Sequence, residues 1–216
     1  MYFIWPYIQK VISMLGNLVQ NTGYIGTLIY GIIERALIPF GLHHVFYMPF
    51  WQTNVGGSME IAGQTINGAQ NIFFAQLADP NTTKFSVDAT RFMAGKFPFM
   101  MFGLPGAALA MVRCAKTTKK KAAIGLVASA ALCAFICGVT EPFEFGFMFL
   151  APGLYVIYAL LYGIFTMITV ALGFRAGFSF SAGAMDLLFS SSLPAAQRTW
   201  LIIPLGIAAF VVFYFV

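Results

Sequence analysis

The chain has 216 residues, of which 60% are hydrophobic and 9% are charged, and its mean hydropathy is +0.83. A soluble domain averages about 25% charged residues, so this composition excludes an ordinary soluble protein. The apolar runs are continuous, which predicts helical membrane spans and not the alternating strands of a β-barrel. The net charge of +5 is concentrated in one short segment, which argues against nucleic acid as a partner.

Five or six apolar segments are candidates for membrane-embedded helices, and several approach the ~20 residues that a bilayer core requires. The opening stretch MYFIWPYIQK lacks the basic region and the cleavage site of a signal peptide. The last segment has no polar flank, so we expect a multi-pass protein that continues beyond this sequence. The segments are residues 4–19, 27–51, 97–112, 122–138, 145–174 and 200–216.

The second segment contains GIIERALIPFGLHHVFYMPFW, which places four ionisable side chains in an apolar stretch. Pro39 and Gly41 should break its helix, because proline removes a helical hydrogen bond. Glu34 and Arg35 are adjacent, and one interpretation is a local pair that compensates its own charge.

His43 and His44 follow this break directly. On a helix, adjacent side chains point about 100° apart, so these two should not both face one site. One histidine could simply pack in the core, but Arg35 two turns earlier favours a polar cavity. The aromatic residues that follow suit either a sugar or a membrane-interface belt.

Residues 52–96 break the membrane pattern, because they are rich in Gln, Asn, Gly and Thr. Such a long loop without structure would be unusual in a compact protein. We expect a mixture of a small excursion outside the membrane and a part that re-enters it beside a wet cavity.

The basic segment RCAKTTKKKAA separates two predicted spans. The positive-inside rule predicts a solvated cytoplasmic loop, and binding to anionic lipid headgroups is the alternative. Cys133 and Cys137 lie in an apolar run without a further Cys or His nearby, so they predict packing and not a metal site.

The stretch GVTEPFEFGF places two carboxylates between apolar runs. Gly138 suits the end of one helix and Pro142 suits the first turn of the next. Thr140 or Glu141 would then be the N-cap, with Glu141 at the tip and Glu144 about one turn further. An ordinary surface loop is the alternative, but ionisable residues at membrane depth usually indicate function.

Two broken helices with buried polar groups are typical of a transporter site near the bilayer midplane. An isolated charge at that depth costs at least roughly 2.5–3.5 kcal/mol. We therefore expect Arg35, His43 and Glu141 to converge on one cavity that binds a polar solute.

These segments resemble a known family. YGIIERALIPFGLHHVFYMPFW and GVTEPFEFGFMFLAPGLY are similar to the membrane-embedded IIC component of bacterial phosphoenolpyruvate-dependent sugar phosphotransferase systems, in the glucose superfamily. MFGLPGAALAM and GFSFSAGAMDLLF fit the same family. The stretch that begins NIFFAQLADPNTTKFSVDATRF resembles the maltose and alpha-glucoside branch most. The resemblance covers essentially the whole chain, but only the C-terminal half of the family's IIC domain.

The resemblance implies an all-α membrane protein, with transmembrane helices and two re-entrant hairpins. Residues 1–22 would end an N-terminal interface helix, and residues 23–216 would form the substrate-carrying region of an incomplete IIC domain. A homodimer would form through the missing N-terminal half, and the protein would contact membrane lipid. The partner would be a phosphorylated IIB domain, whose cysteine motif Cys114 does not match.

The resemblance also implies which residues bind the sugar. Glu141 is the candidate catalytic residue, since its carboxylate could orient the attacking hydroxyl or take its proton. No metal and no cofactor are expected. The candidate substrate-binding residues are Arg35, His43, His44, Thr140, Glu141 and Glu144.

The function implied is that of a sugar permease in the bacterial cytoplasmic membrane, translocating maltose, another alpha-glucoside or glucose with phosphorylation by IIB. One alternative is an ion-coupled secondary transporter with Glu141 or Glu144 as its proton site. Another is a fragment that does not transport.

Overall fold

The computed structural model describes residues 5–116 and 120–216. The predicted all-α membrane fold is confirmed, with one small antiparallel sheet added. In chain order the helices and strands are α1 (Trp5–Asn21), α2 (Tyr24–Ala36), α3 (His43–Gln52), β1 (Ser58–Ile61), β2 (Gln64–Asn67), α4 (Ala69–Ala78), α5 (Val87–Thr90), α6 (Lys96–Pro98), α7 (Leu104–Cys114), α8 (Lys120–Cys137), α9 (Glu141–Met148), α10 (Pro152–Ala171), α11 (Ala184–Ser191) and α12 (Ile202–Phe215).

Three helices in the described ranges are long and apolar enough to cross a membrane: Lys96–Cys114, Lys120–Cys137 and Pro152–Ala171. The first of them joins α6 to α7 through a π-helical turn, Phe99–Gly103. The helix Thr199–Phe215 is also apolar but shorter. These helices account for most of the apolar runs in the sequence.

Helices α2 and α10 run antiparallel and pack closely. The Tyr155 hydroxyl near the start of α10 donates a hydrogen bond to the Arg35 carbonyl at the end of α2, at 2.7 Å. A Cβ atom added to Gly31 would lie only 3.1 Å from the Cα of Gly163. The two backbones can approach this closely because both residues are glycine. The end of α2, with Glu34 and Arg35, lines the polar cavity, and α10 packs behind it.

The predicted break in residues 27–51 is confirmed. Helix α2 ends at Ala36, a 3₁₀ turn spans Ile38–Phe40, and Gly41 has a φ of +68° before α3 begins. Residues 145–174 do not form one span as predicted, because α9 ends at Met148 and α10 begins at Pro152. A proline is favourable in a first helical turn, where its missing N–H needs no partner.

Residues 52–96 are more structured than a loop. Strands β1 and β2 pair antiparallel, with Met59 opposite Ile66, and α4 and α5 follow. Gln76 on α4 accepts a hydrogen bond from the backbone N–H of Ser86 at 3.0 Å, which fixes the turn between the two helices. The strands are four residues long, too short for a clear alternation of polarity in the sequence.

The basic segment lies where α7 ends and α8 begins. Arg113 is exposed at the last turn of α7, and Lys120 and Lys121 are exposed at the start of α8. Their exposure confirms the prediction that this segment forms solvent-exposed helix ends. Lys119 lies outside the described residues.

Candidate functional site

The chain reverses at the predicted position between α8 and α9. Gly138 has a φ of +73°, and a Cβ atom there would lie 2.7 Å from the Ser181 hydroxyl oxygen. The Ser181 hydroxyl donates a hydrogen bond to the Gly138 carbonyl at 2.8 Å. Both the left-handed backbone and this close approach require glycine at the tip.

The predicted N-cap position is confirmed, since Thr140 is the N-cap of α9. The predicted capping hydrogen bond is not, because the Thr140 side chain makes no bond to the helix end. The Thr140 hydroxyl accepts a hydrogen bond from Arg35 Nη1 at 3.0 Å instead. The Thr140 side chain therefore connects the tip to α2, 105 residues earlier in the sequence.

Glu144 is the buried counter-ion of Arg35. Its Oε1 lies 2.5 Å from Arg35 Nη1, and the two side chains are 0% and 3% exposed. The Tyr158 hydroxyl donates to the same carboxylate oxygen, and the Arg35 guanidinium lies 4.2 Å from the centre of the Tyr162 ring. Glu144 lies behind the wall of the cavity, so it supports Arg35 and does not face the space that a ligand would fill.

The interpretation of Glu34 and Arg35 as a local pair is wrong. Glu34 forms a buried ion pair with Lys96, and its second oxygen accepts a hydrogen bond from the Tyr162 hydroxyl at 3.1 Å. Lys96 also lies 4.9 Å from the centre of the Trp51 ring. Sequence reasoning missed Lys96, because it stands at the end of a long polar segment and nothing there marks it as buried.

These elements enclose a cavity of about 410 Å³, within the roughly 300–1,000 Å³ typical of small-molecule sites. It lies between the end of α2, the start of α6, helix α3, the tip before α9 and the segment before α11. The side chains that bring polar or aromatic groups to it include Arg35, His43, His44, Tyr47, Trp51, Lys96, Thr140, Glu141 and Phe180.

Glu141 and His43 face each other across this space. His43 Nε2 lies 3.5 Å from Glu141 Oε1, which is longer than an N–H···O hydrogen bond. Both nitrogens of the buried His43 ring lack a hydrogen-bond partner within the part of the chain that the structure describes. The Glu141 side chain is 34% exposed. Both groups therefore retain hydrogen-bonding capacity for a ligand.

The prediction that His43 and His44 cannot both face one site is wrong. They are the first two residues of α3, and their ring centroids lie 4.1 Å apart on the same side of the cavity. The Tyr47 hydroxyl lies 2.5 Å from His44 Nδ1. The turn at Gly41 places the start of α3 at the cavity. The angle between adjacent side chains on a helix therefore does not keep either histidine out of it.

Residues 1–163 match the sequence profile of the family described as "Phosphotransferase system, EIIC". The chain belongs to this family. Two curated relatives, from Staphylococcus saprophyticus and Staphylococcus carnosus, are each 43% identical over 218 residues, and each is named "PTS system glucose-specific EIICBA component". The match covers 100% of this EIIC chain and 31% of each relative, so the chain spans about a third of their length.

Membership of the EIIC family agrees with the apolar helices and makes the chain a multi-pass component of the bacterial cytoplasmic membrane. The names of the two relatives do not support the resemblance to the maltose and alpha-glucoside branch. The structure places five of the six predicted substrate-binding residues around one cavity of this EIIC chain, and Glu144 behind it. Their role in sugar binding stays a prediction.

Proposed function

We propose that this chain is the sugar-binding part of a phosphotransferase permease and that it binds glucose in the cavity. The observation that carries the proposal is the buried His43 ring, whose two nitrogens lack a hydrogen-bond partner among the described residues and which faces the partly exposed Glu141 carboxylate in a polar cavity. A site built to hydrogen-bond hydroxyl groups rejects ligands that lack them, because its buried polar groups would stay unpaired. Glucose is favoured over maltose or another alpha-glucoside because both relatives are named glucose-specific.

The two buried ion pairs support an uncharged ligand. Arg35 is neutralised by Glu144, and Lys96 by Glu34, so neither cation needs an anionic substrate. Glu141 would accept hydrogen bonds from sugar hydroxyls, and His43 would donate or accept one. The exposed ring of Phe180 would supply an apolar face for the C–H side of a pyranose, whereas Trp51 is only 7% exposed.

Phosphorylation would follow binding and would use a phosphocysteine on a IIB domain. The sugar hydroxyl attacks phosphorus, the P–S bond breaks, the thiolate leaves with the bonding electrons, and Glu141 takes the hydroxyl proton. The EIICBA names of the relatives support a IIB partner.

We also propose that residues 1–22 belong to an interface region and that residues 23–216 form the substrate-carrying part. Helix α1 ends just before Gly23, whose φ is +57°. Its exposed apolar residues recur at helical spacing, which suits a second copy of the permease or lipid. They are Tyr7, Val11, Met14 and Leu18.

The test is glucose binding to the purified chain in detergent, measured by calorimetry, with maltose as the comparison. Glu141→Gln keeps the shape of the side chain but removes its charge, and hydrogen bonds to charged groups contribute about 1.5–3 kcal/mol. We expect affinity for glucose to fall roughly 10- to 150-fold. Glu60→Gln, at an exposed position on β1, is the matched control and should bind normally. Normal glucose binding by Glu141→Gln would refute the site.

Coupling separates this proposal from an ion-coupled transporter. In vesicles containing the permease and a IIB domain, uptake should stop when the phosphoryl donor is withheld. Uptake that needs no donor but stops with an uncoupler would support the transporter instead. A chain that binds neither sugar would support a fragment without transport activity.

A further inference from the structure

A cluster of metal-binding side chains overlaps one side of the cavity. His43, His44 and Glu141 each offer a ligand atom, and these atoms all lie within 4.8 Å of one another. We propose that they bind a divalent transition metal of the zinc class, and that metal and sugar exclude each other there. The exclusion rests on the proposed function, whereas metal binding itself does not.

The separation between His43 and Glu141 suits a shared metal better than a hydrogen bond. Their facing atoms, Nε2 and Oε1, lie 3.5 Å apart. Two ligands of one tetrahedral zinc, each about 2.0–2.1 Å from the metal, lie about 3.3 Å from each other. The His43 side chain is 10% exposed, and neither of its nitrogens has a partner within residues 5–116 and 120–216. It is therefore a buried ligand aimed into the cavity.

Tyr47 orients the third ligand. Its hydroxyl lies 2.5 Å from His44 Nδ1, which leaves Nε2 as the available nitrogen of that ring. Histidines that bind metals usually hold their second nitrogen in such a bond, because this fixes the tautomer and the ring orientation. Two histidines and one carboxylate leave a fourth position for water, as in open zinc sites.

The charges around the cavity favour a cation of this class. Arg35 and Lys96 are each paired with a buried carboxylate, so the negative charge of Glu141 is left over. Among the described residues, the ion-pair partner of Glu141 is His43, which is itself a metal ligand. Imidazole suits zinc, whereas magnesium and calcium prefer sites made of oxygen atoms.

The test titrates Zn²⁺ into the full chain against a chromophoric chelator. Cys114, Cys133 and Cys137 are first replaced by serine so that no thiol binds the metal. We expect one zinc per chain and no competition from Mg²⁺. His44→Asn and Glu141→Gln should each weaken zinc binding by at least about tenfold, since each removes a direct ligand.

Tyr47→Phe tests the orientation of His44 without removing a ligand. It keeps the ring and should weaken zinc binding by about 10- to 100-fold, as loss of a partner of a metal-bound histidine does. Tyr24→Phe, at a tyrosine that is 53% exposed, is the control and should leave zinc affinity unchanged. Thermal unfolding checks that each variant is folded.

Three results would overturn the inference. One is the absence of saturable zinc binding in the folded cysteine-free chain, and another is binding that persists in both ligand variants. The third is joint binding, in which glucose does not raise the apparent Kd for zinc although each binds alone. A separate titration of glucose without zinc tests the proposed function, so its failure there leaves the zinc result standing.

Discussion

Glu141 and Glu144 lie one turn apart in the same helix but have opposite environments. Glu144 is fully buried and shares its Oε1 with Arg35 and Tyr158, whereas Glu141 is partly exposed and faces His43 at 3.5 Å. Breaking a buried ion pair leaves one charge without a partner, whereas a charge with access to water is still solvated. Glu144 should therefore stabilise the fold, whereas Glu141 should contribute mainly to ligand binding.

We predict that Glu144→Gln lowers the free energy of unfolding by about 3–5 kcal/mol, because Arg35 would lose its buried counter-ion. Glu141→Gln should change stability little while it weakens glucose binding. Thermal unfolding in detergent and calorimetry, applied to both variants, measure the two effects. Equal stability of the two variants would show that the pair of Arg35 with Glu144 does not hold the fold.

At the scale of elements, the tip between α8 and α9 is held from two sides. Ser181, in the segment before α11, donates to the Gly138 carbonyl, and Arg35 donates to the Thr140 hydroxyl. Because hydrogen bonds hold both Gly138 and Thr140, this short connection positions Glu141 more accurately than a free loop would. The position of the carboxylate thus depends on the backbone at Gly138.

We expect Gly138→Ala to lower both thermal stability and glucose affinity. A left-handed alanine costs about 1–2 kcal/mol, and its Cβ would also lie 2.8 Å from the backbone nitrogen of Ala182. Gly125→Ala in α8 is the matched control, since a Cβ there has open space. It should be neutral or stabilise the helix by up to about 1 kcal/mol. If both variants behave alike, the backbone at Gly138 is not under this constraint.

At the scale of the whole molecule, the basic segment and the cavity are separate features. Arg113, Lys120 and Lys121 are exposed at helix ends, and none of them lines the cavity. Exposed charges separated from a site by more than about 8–10 Å are largely screened at physiological salt. We therefore expect the segment to serve membrane orientation and not ligand recognition.

We predict that replacing Lys119, Lys120 and Lys121 by glutamine leaves glucose affinity nearly unchanged. Calorimetry on the triple variant, at low and at physiological salt, is the measurement. A large loss at both salt concentrations would place the segment in the sugar site.

The sequence predicts those features that a local pattern marks. Gly138 and Pro142 mark the reversal, and charges in apolar runs mark Arg35, His43 and Glu141, because such groups are costly in lipid. The profile match and the structure bear out the all-α membrane fold.

Long-range pairing is what the sequence does not reveal. Glu34 pairs with Lys96 across 62 residues, and its neighbour Arg35 pairs with Glu144 across 109. Basic residues nearer in the sequence exist for each carboxylate, and only the folded chain, which brings α6 and α9 to the end of α2, selects the distant pairs. The sequence does predict that Glu141 meets His43, but it argues against His44 as a further member of that cluster, because adjacent side chains on a helix point about 100° apart.

The two buried ion pairs also bear on how such a cavity responds to voltage. Each elementary charge moved through a membrane potential changes in energy by about 2.3 kcal/mol per 100 mV. Arg35 with Glu144 and Lys96 with Glu34 are dipoles without net charge. If the cavity carries an uncharged sugar through the field, as we propose, Glu141 is the carboxylate among its described lining residues that no Arg or Lys neutralises, so we expect the electrical work of a transport cycle to stay small at resting potentials.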